Sequence, residues 1–218
     1  MIERYVHHLR VELPSPEETA AEARVRLAAK FPRNALRRMT HLGMLLGSTL
    51  EGFDLGPDDA VVYATTYAET RALEDFLTSF PAASPLLFQT SIHPGGMQQV
   101  LIGRQQPVAR LWPLAGQTRL VEQALLTALL EPASRVVLAG GEERGSWMLE
   151  HGMAAAKAFA FALVLTCEPA GAIARLGFSP VAGEDEPSPT LEAWTQALAD
   201  RQPLQWSGAG GVWTLAWS

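Results

Sequence analysis

Three short, almost unbroken apolar runs constrain this chain more than any other feature: Ala60–Thr65 (AVVYAT), Arg135–Ala139 (RVVLA) and Ala160–Thr166 (AFALVLT). A strand with one wetted face alternates apolar and polar residues. A run that does not alternate must be covered on both faces, as in the parallel sheets of layered α/β proteins. The segments between the runs have helical character, so the order strand, helix, strand predicts a sheet covered by helices. With 218 residues and 48% hydrophobic residues, the chain is long enough to bury such a sheet as one domain spanning 1–218.

Local signals fill in the rest. Tyr5–Leu13 alternates weakly and reads as a strand. Ser15-Pro16-Glu17-Glu18 has the makings of a helix start, with the helix running to about Ala29. Asn34–Leu50 places Leu36, Met39, Leu42, Leu46 and Leu50 on one face of a second helix, ended by Gly52 and the Gly56-Pro57-Asp58 turn. Thr70–Phe80 is a helix stopped by Pro81. Leu86–Thr90 reads as extended, Pro94–Gly96 as a turn, Met97–Ile102 as helical and Val108–Trp112 as extended. Thr118–Leu130 is a helix ended by Glu131-Pro132, and Gly140-Gly141 reads as a tight turn closing the second apolar run. Gly183–Pro189 is an acidic, proline-rich loop, followed by a helix at Leu191–Ala199 and a closing strand at Val212–Trp217.

Several functions are disfavoured. The net charge of −6 offers no basic excess for nucleic acid, and the Arg33, Arg37, Arg38 cluster reads as a solvated helix face. The stretch Met153–Cys167 is broken by Lys157 and too short to span a bilayer, so it reads as a helix end running into a buried strand. No basic-then-apolar leader opens the chain, and the single Cys167 can form no intramolecular disulfide, which suits the cytoplasm. No dinucleotide fingerprint, P-loop, nucleophile elbow or metal-ligand spacing is present, so no cofactor or metal is expected. The adjacent Glu142 and Glu143 diverge and read as solvated charges, while Cys167 reads as an inert core or near-core thiol. Trp206, Trp213 and Trp217 read as core packing by the final strand, with a partner-facing patch as the alternative.

Taken in order, several segments resemble the β-ketoacyl synthases. Asn34-Ala-Leu-Arg-Arg-Met39 resembles the start of one of their helices, and Ala60–Thr65 with Glu69–Leu77 resembles a strand and its following helix. Ser84-Pro-Leu-Leu-Phe88, Ser91-Ile-His93 and Gly95-Gly96 resemble the segment before the active-site strand. They are similar to the version found in ketosynthase-like proteins of aryl-polyene and related pigment clusters. Arg135–Glu142 is similar to the strand and Gly-Gly element after the nucleophile helix, and Ala160–Thr166 to the next core strand. The likeness is strongest over 36–166, with 183–218 as a C-terminal extension. It implies a thiolase-like layered fold representing mainly the N-terminal half of a ketosynthase, with a mixed, mostly parallel sheet.

The resemblance also implies a lost activity. Condensing enzymes carry a cysteine where the strand meets the helix N-terminus, a place that favours thiolate. Here that position falls on Ala115 or, with a two-residue shift, on Gln117; chain-length-factor subunits typically carry Gln there. Neither residue can hold an acyl thioester. The family's catalytic histidines belong to a second half, and no His follows His151. His93 and Thr118 could mark a vestigial acyl pocket, although His93 also reads as a turn histidine bonding backbone groups. The implied role is a non-catalytic, chain-length-factor-like subunit. It would pair with a cysteine-bearing ketosynthase that acts on acyl chains held by acyl carrier protein. The pairing edge would be Val108, Ala109, Arg110, Leu111 and Trp112. An acyl-thioester hydrolase or transferase on the same fold, and a homodimeric module that binds acyl carrier protein, are the alternatives.

Overall fold

A computed structural model describes residues 1–181 and 186–218 of the chain. Eight strands form one sheet: β1 (Ile2–Glu12), β2 (Ala60–Thr65), β3 (Arg110–Ala115), β4 (Arg135–Glu142), β5 (Phe159–Thr166), β6 (Ala174–Ser179), β7 (Leu204–Gly208) and β8 (Gly211–Trp217). Their order across the sheet is β3-β2-β4-β5-β1-β6-β8-β7. Strands β3, β2 and β4 pair in parallel, and every other pairing is antiparallel. The three apolar runs are therefore neighbouring strands of one mixed sheet, as expected. The sheet is, however, mostly antiparallel and not mostly parallel: β4 and β5 are joined through a short 3-10 turn and irregular chain, with no crossover helix to return the chain in parallel.

Alternation along each run sends side chains to two cores. Val62, Val136, Leu138, Phe161 and Leu163 face helices α7 (Leu120–Leu130) and α8 (Leu191–Ala199). Val61, Tyr63, Val137, Ala160 and Ala162 face the other layer, made of α1 (Ala20–Ala28), α3 (His41–Thr49) and α6 (Gly95–Arg104). Strand β5 turns its large residues to the first core and small ones to the second, which lets α3 pack against it. Leu42, Leu45, Leu46 and Leu50 are fully buried there, each contributing about 2 kcal/mol of transfer free energy.

Several local expectations are corrected. The first helix begins after Thr19, which forms a capping box with Glu22; the Ser15 segment makes only a turn. The Asn34–Leu50 helix is two pieces, α2 (Arg33–Leu36) and α3. The break falls at Thr40, whose side chain accepts from Gly43 N while its own amide donates to Gln99 Oε1 at 2.7 Å. The apolar phase survives the break, because Met39, Leu42, Leu46 and Leu50 are all buried. Leu86–Thr90 is helical, within α5 (Pro85–Ser91), because Ser84 caps it and Pro85 occupies its first turn. Gly95 and Gly96 open α6 rather than forming a free turn. The chain before β5 is a 3-10 turn at Trp147–His151 and then irregular, with Met153 exposed.

Helix α4 (Thr70–Thr78) and α8 fall where the sequence placed them. Strands β6 and β7 were not foreseen; they extend the sheet beyond β1. Trp206 and Trp213 stack in the first core with centroids 6.0 Å apart, and Trp217 packs beside it half-buried. The Gly183–Pro189 loop lies partly outside the described residues; its remainder, 186–189, is irregular.

Candidate functional site

The region where the sequence resemblance puts the nucleophile position, Ala115 or Gln117, lies at one edge of the sheet. Among the described residues strand β3 pairs only with β2, residue for residue from Ala60–Arg110 to Thr65–Ala115. The expected Val108–Trp112 strand is thus displaced. Val108 packs against the second core, and the Ala109 amide donates to the Asp59 carbonyl at 2.8 Å before the strand begins. The strand also continues through Pro113, which an edge strand tolerates because only one side of its ladder must be paired. Glu131, at the end of α7, anchors the strand from below. Arg110 Nη2 donates to it at 2.6 Å and Trp112 Nε1 at 2.7 Å.

Beyond β3 the chain makes a tight exposed turn. Ala115 ends the strand, Gly116 has φ +151°, Gln117 and Thr118 face solvent, and Arg119 adopts a left-handed φ of +54° before α7. Thiolate at a helix N-terminus needs the positive end of the helix dipole left uncompensated. Here Glu122 sits in that first turn, 5% exposed, and accepts from Arg119 Nη1 at 3.1 Å and Trp206 Nε1 at 3.2 Å. A carboxylate therefore already occupies the field that a nucleophilic thiolate would use.

His93 is not the backbone-bonding turn residue expected. Its ring stacks on Tyr63 with centroids 5.1 Å apart, and Nδ1 lies 3.5 Å from Glu69 Oε2. Neither ring nitrogen has a hydrogen-bond partner among the described residues. Glu69 is buried and accepts the Gly96 amide at 2.7 Å. Thr118 lies in the exposed turn, and no hydrogen bond joins it to His93 among the described residues. No general-base pairing with a hydroxyl nucleophile is formed by these two side chains.

Glu142 and Glu143 are not solvated; both are buried, and they hold different sets of donors. Glu142 accepts from Thr65 Oγ1 at 3.1 Å, Tyr67 N at 3.2 Å and Thr66 N. Glu143 accepts from Leu42 N, Arg71 N and Ala72 N, the first turns of α3 and α4. Burial pushes both carboxyls up to about 7, against the donated hydrogen bonds. Glu74 similarly ties Ser146 N at 2.7 Å and Met148 N at 3.1 Å. Four buried glutamates thus bind loop and helix amides beyond the strand ends, where a catalytic site would be assembled. The sequence reading missed them; the available signal was acidic residues placed directly at the ends of buried strands and helix starts.

Gly140 and Gly141 lie inside β4 rather than in a turn. A Cβ on Gly140 would come within 2.6 Å of the Ala64 carbonyl, and one on Gly141 within 2.4 Å of the Phe159 carbonyl. Close strand approach explains both. Cys167 is exposed, because β5 ends at Thr166 and the chain leaves the sheet there. Arg33, Arg37 and Arg38 are exposed, as the solvated-face reading held. Two clefts, of about 370 and 800 Å³, share His41 and Arg71 in their linings. No residue of the β3 strand or its turn lines either one. No described helix is long and apolar enough to cross a membrane, and no described cluster of side chains could hold a metal ion.

A mixed sheet between two helical layers, with a parallel edge strand leading into a buried helix, makes this a layered α/β fold. Comparison with solved structures supports that fold. The chain aligns over 99% of its length with 100% of a chain from a ketosynthase (ApeO) in complex with its chain length factor (ApeC) from Xenorhabdus doucetiae (TM-score 0.66, 17% identity). It also aligns over 82% of its length with 67% of a chain from the ishigamide ketosynthase/chain length factor (TM-score 0.59, 13% identity). No protein-family model and no curated protein matches the chain. At such identities the likeness establishes the shared fold.

Proposed function

We propose that the chain is a non-catalytic, chain-length-factor-like subunit, working as a single unit over 1–218. It pairs with a cysteine-bearing ketosynthase that extends acyl chains carried on acyl carrier protein, in polyene pigment, polyketide or fatty-acid-like biosynthesis in the cytoplasm. The observation that carries this reading is the β3 edge. Among the described residues its ladder is unpaired on one side, and it ends in a turn where neither Ala115 nor Gln117 can act as a nucleophile. The opposite edge is guarded. Ser207 of β7 uses its carbonyl to accept from Glu186 N at 2.8 Å and its amide to donate to Glu186 Oε2 at 3.0 Å. An open edge is a liability in a monomer and an asset in an assembly.

Apolar surface supports the same assignment. Trp112 is exposed on β3, and the crossover from β2 to β3 carries α5, none of whose residues is buried, with Leu86 and Phe88 exposed. The similar structures named above are described as ketosynthases with chain length factors. In this reading His93 and Thr118 are remnants of an acyl pocket.

Co-expression with a cysteine-bearing ketosynthase, followed by sedimentation, tests the assignment. The wild type is expected to form a heterodimer, or a homodimer when alone, and Trp112→Lys to weaken the association at least tenfold while remaining folded. A wild type that stays monomeric in every mixture, or a Trp112→Lys variant that associates as well as wild type, overturns it.

A further inference from the structure

The β7–β8 hairpin is joined to the β3–α7 turn through one side chain. Glu122 Oε1 accepts from Trp206 Nε1 of β7 at 3.2 Å, and Oε2 accepts from Ala209 N, in the hairpin turn, at 3.4 Å. Oε2 also pairs with Arg119 Nη1 at 3.1 Å, and Arg119 is the residue held at a left-handed φ of +54° immediately before α7. A non-glycine residue in that conformation persists only where its surroundings over-determine it. The hairpin approaches the helix closely at Gly208. A Cβ on Gly208 would lie 2.4 Å from Glu122 Oε1 and 2.8 Å from Trp213 Nε1. Trp206 is itself fixed by stacking on Trp213 and an edge contact with Trp194, with centroids 6.4 Å apart. The tie therefore begins in a rigid aromatic cluster and ends in an exposed turn.

We propose that Glu122 is a positioning residue through which the C-terminal hairpin sets the conformation of the Ala115–Arg119 turn. This rests on the reading above, in which that turn is presented to a partner ketosynthase. The hairpin, outside the stretch where the family resemblance is strongest, would thereby tune the surface offered to the partner without touching it. The physical basis is restraint: an exposed turn ordered before binding loses less conformational entropy when the partner arrives.

Amide hydrogen exchange and partner affinity, measured on the full chain, separate this role from simple stabilisation. Trp206→Phe keeps the aromatic packing and removes one donor to Glu122; Glu122→Gln keeps the volume and removes the charge facing Arg119. In both, exchange at residues 116–119 is expected to rise at least fivefold, while amides of β4 and β5 keep wild-type protection. Partner Kd should weaken about five- to tenfold. Glu122→Asp, retaining the charge, should recover part of the protection. Unchanged exchange at 116–119 in both variants overturns the proposal, as does an increase spread evenly over the whole chain. The exchange measurement needs no partner, so a chain that never binds a ketosynthase defeats the pairing hypothesis while leaving the tether independently tested.

Discussion

Glu143 Oε1 accepts the Arg71 amide at 2.7 Å, joining the residue just after β4 to the first turn of α4, 72 positions away in sequence. The same carboxylate accepts Leu42 N from the start of α3. One buried side chain therefore satisfies amides of two helix N-termini that have no intrahelical partner.

This arrangement predicts a pH-dependent stability. Burial raises Glu142 and Glu143 to about 7, above the ordinary value near 4.5. A carboxyl raised on folding contributes stability that is fully present below its unfolded pKa and is lost as pH climbs through the folded one. Urea denaturation should therefore show a decline on the order of 5 kcal/mol between pH 5 and 8.5, about half of it from each carboxyl. Glu142→Gln should be less stable at pH 5 yet lose roughly half as much across that interval. A wild-type stability that rises over the same range would contradict the assignment.

Gly141 should tolerate no side chain. The clash of an added Cβ is with backbone of β5, at the Phe159 carbonyl and Ala160 Cα, and not with a movable side chain. Gly141→Ala is expected to cost about 3 kcal/mol in chemical denaturation. Gly152→Ala, in open space but at φ +67°, should cost only about 1 kcal/mol.

Restoring a thiol should not restore a condensing enzyme. In a Cys167→Ser background, needed because Cys167 is exposed, Ala115→Cys or Gln117→Cys should alkylate with the pH profile of an ordinary thiol, near about 8.5. Adding Glu122→Gln should raise the rate at pH 7 about threefold by uncovering the α7 dipole. Wild-type chain mixed with acyl-carrier-protein thioesters should show no covalent adduct by mass spectrometry. A stoichiometric adduct between Pro113 and Thr118 would refute the non-catalytic reading.

Proline scanning along the edge should separate folding from association. Ala109 donates its amide within the chain, to Asp59 O. Ala109→Pro is therefore expected to lower stability by about 1 kcal/mol through the lost hydrogen bond, visible in thermal melts of the isolated chain. Trp112→Lys removes the indole donor to Glu131 Oε2 but puts an ammonium donor beside the same carboxylate, so it should shift the melt less.

The sequence by itself determined the sheet's centre. Ala60–Thr65, Arg135–Ala139 and Ala160–Thr166 are apolar on both faces, and a strand of that composition has no stable place except between two layers. It also determined that positions 115 and 117 carry no nucleophile, since residue identity alone settles that point. Tertiary structure decided the matters that depend on partners distant in the chain. Gly140-Gly141 looks like a turn until Ala64 and Phe159 crowd it from neighbouring strands. Glu142 and Glu143 look solvated because the amides that hold them, at Leu42, Thr66, Tyr67, Arg71 and Ala72, lie some 70 to 100 residues away. Hydrophobic pattern is written locally, whereas a buried charge is stabilised by whichever donors the fold brings to it, and no local pattern records those donors.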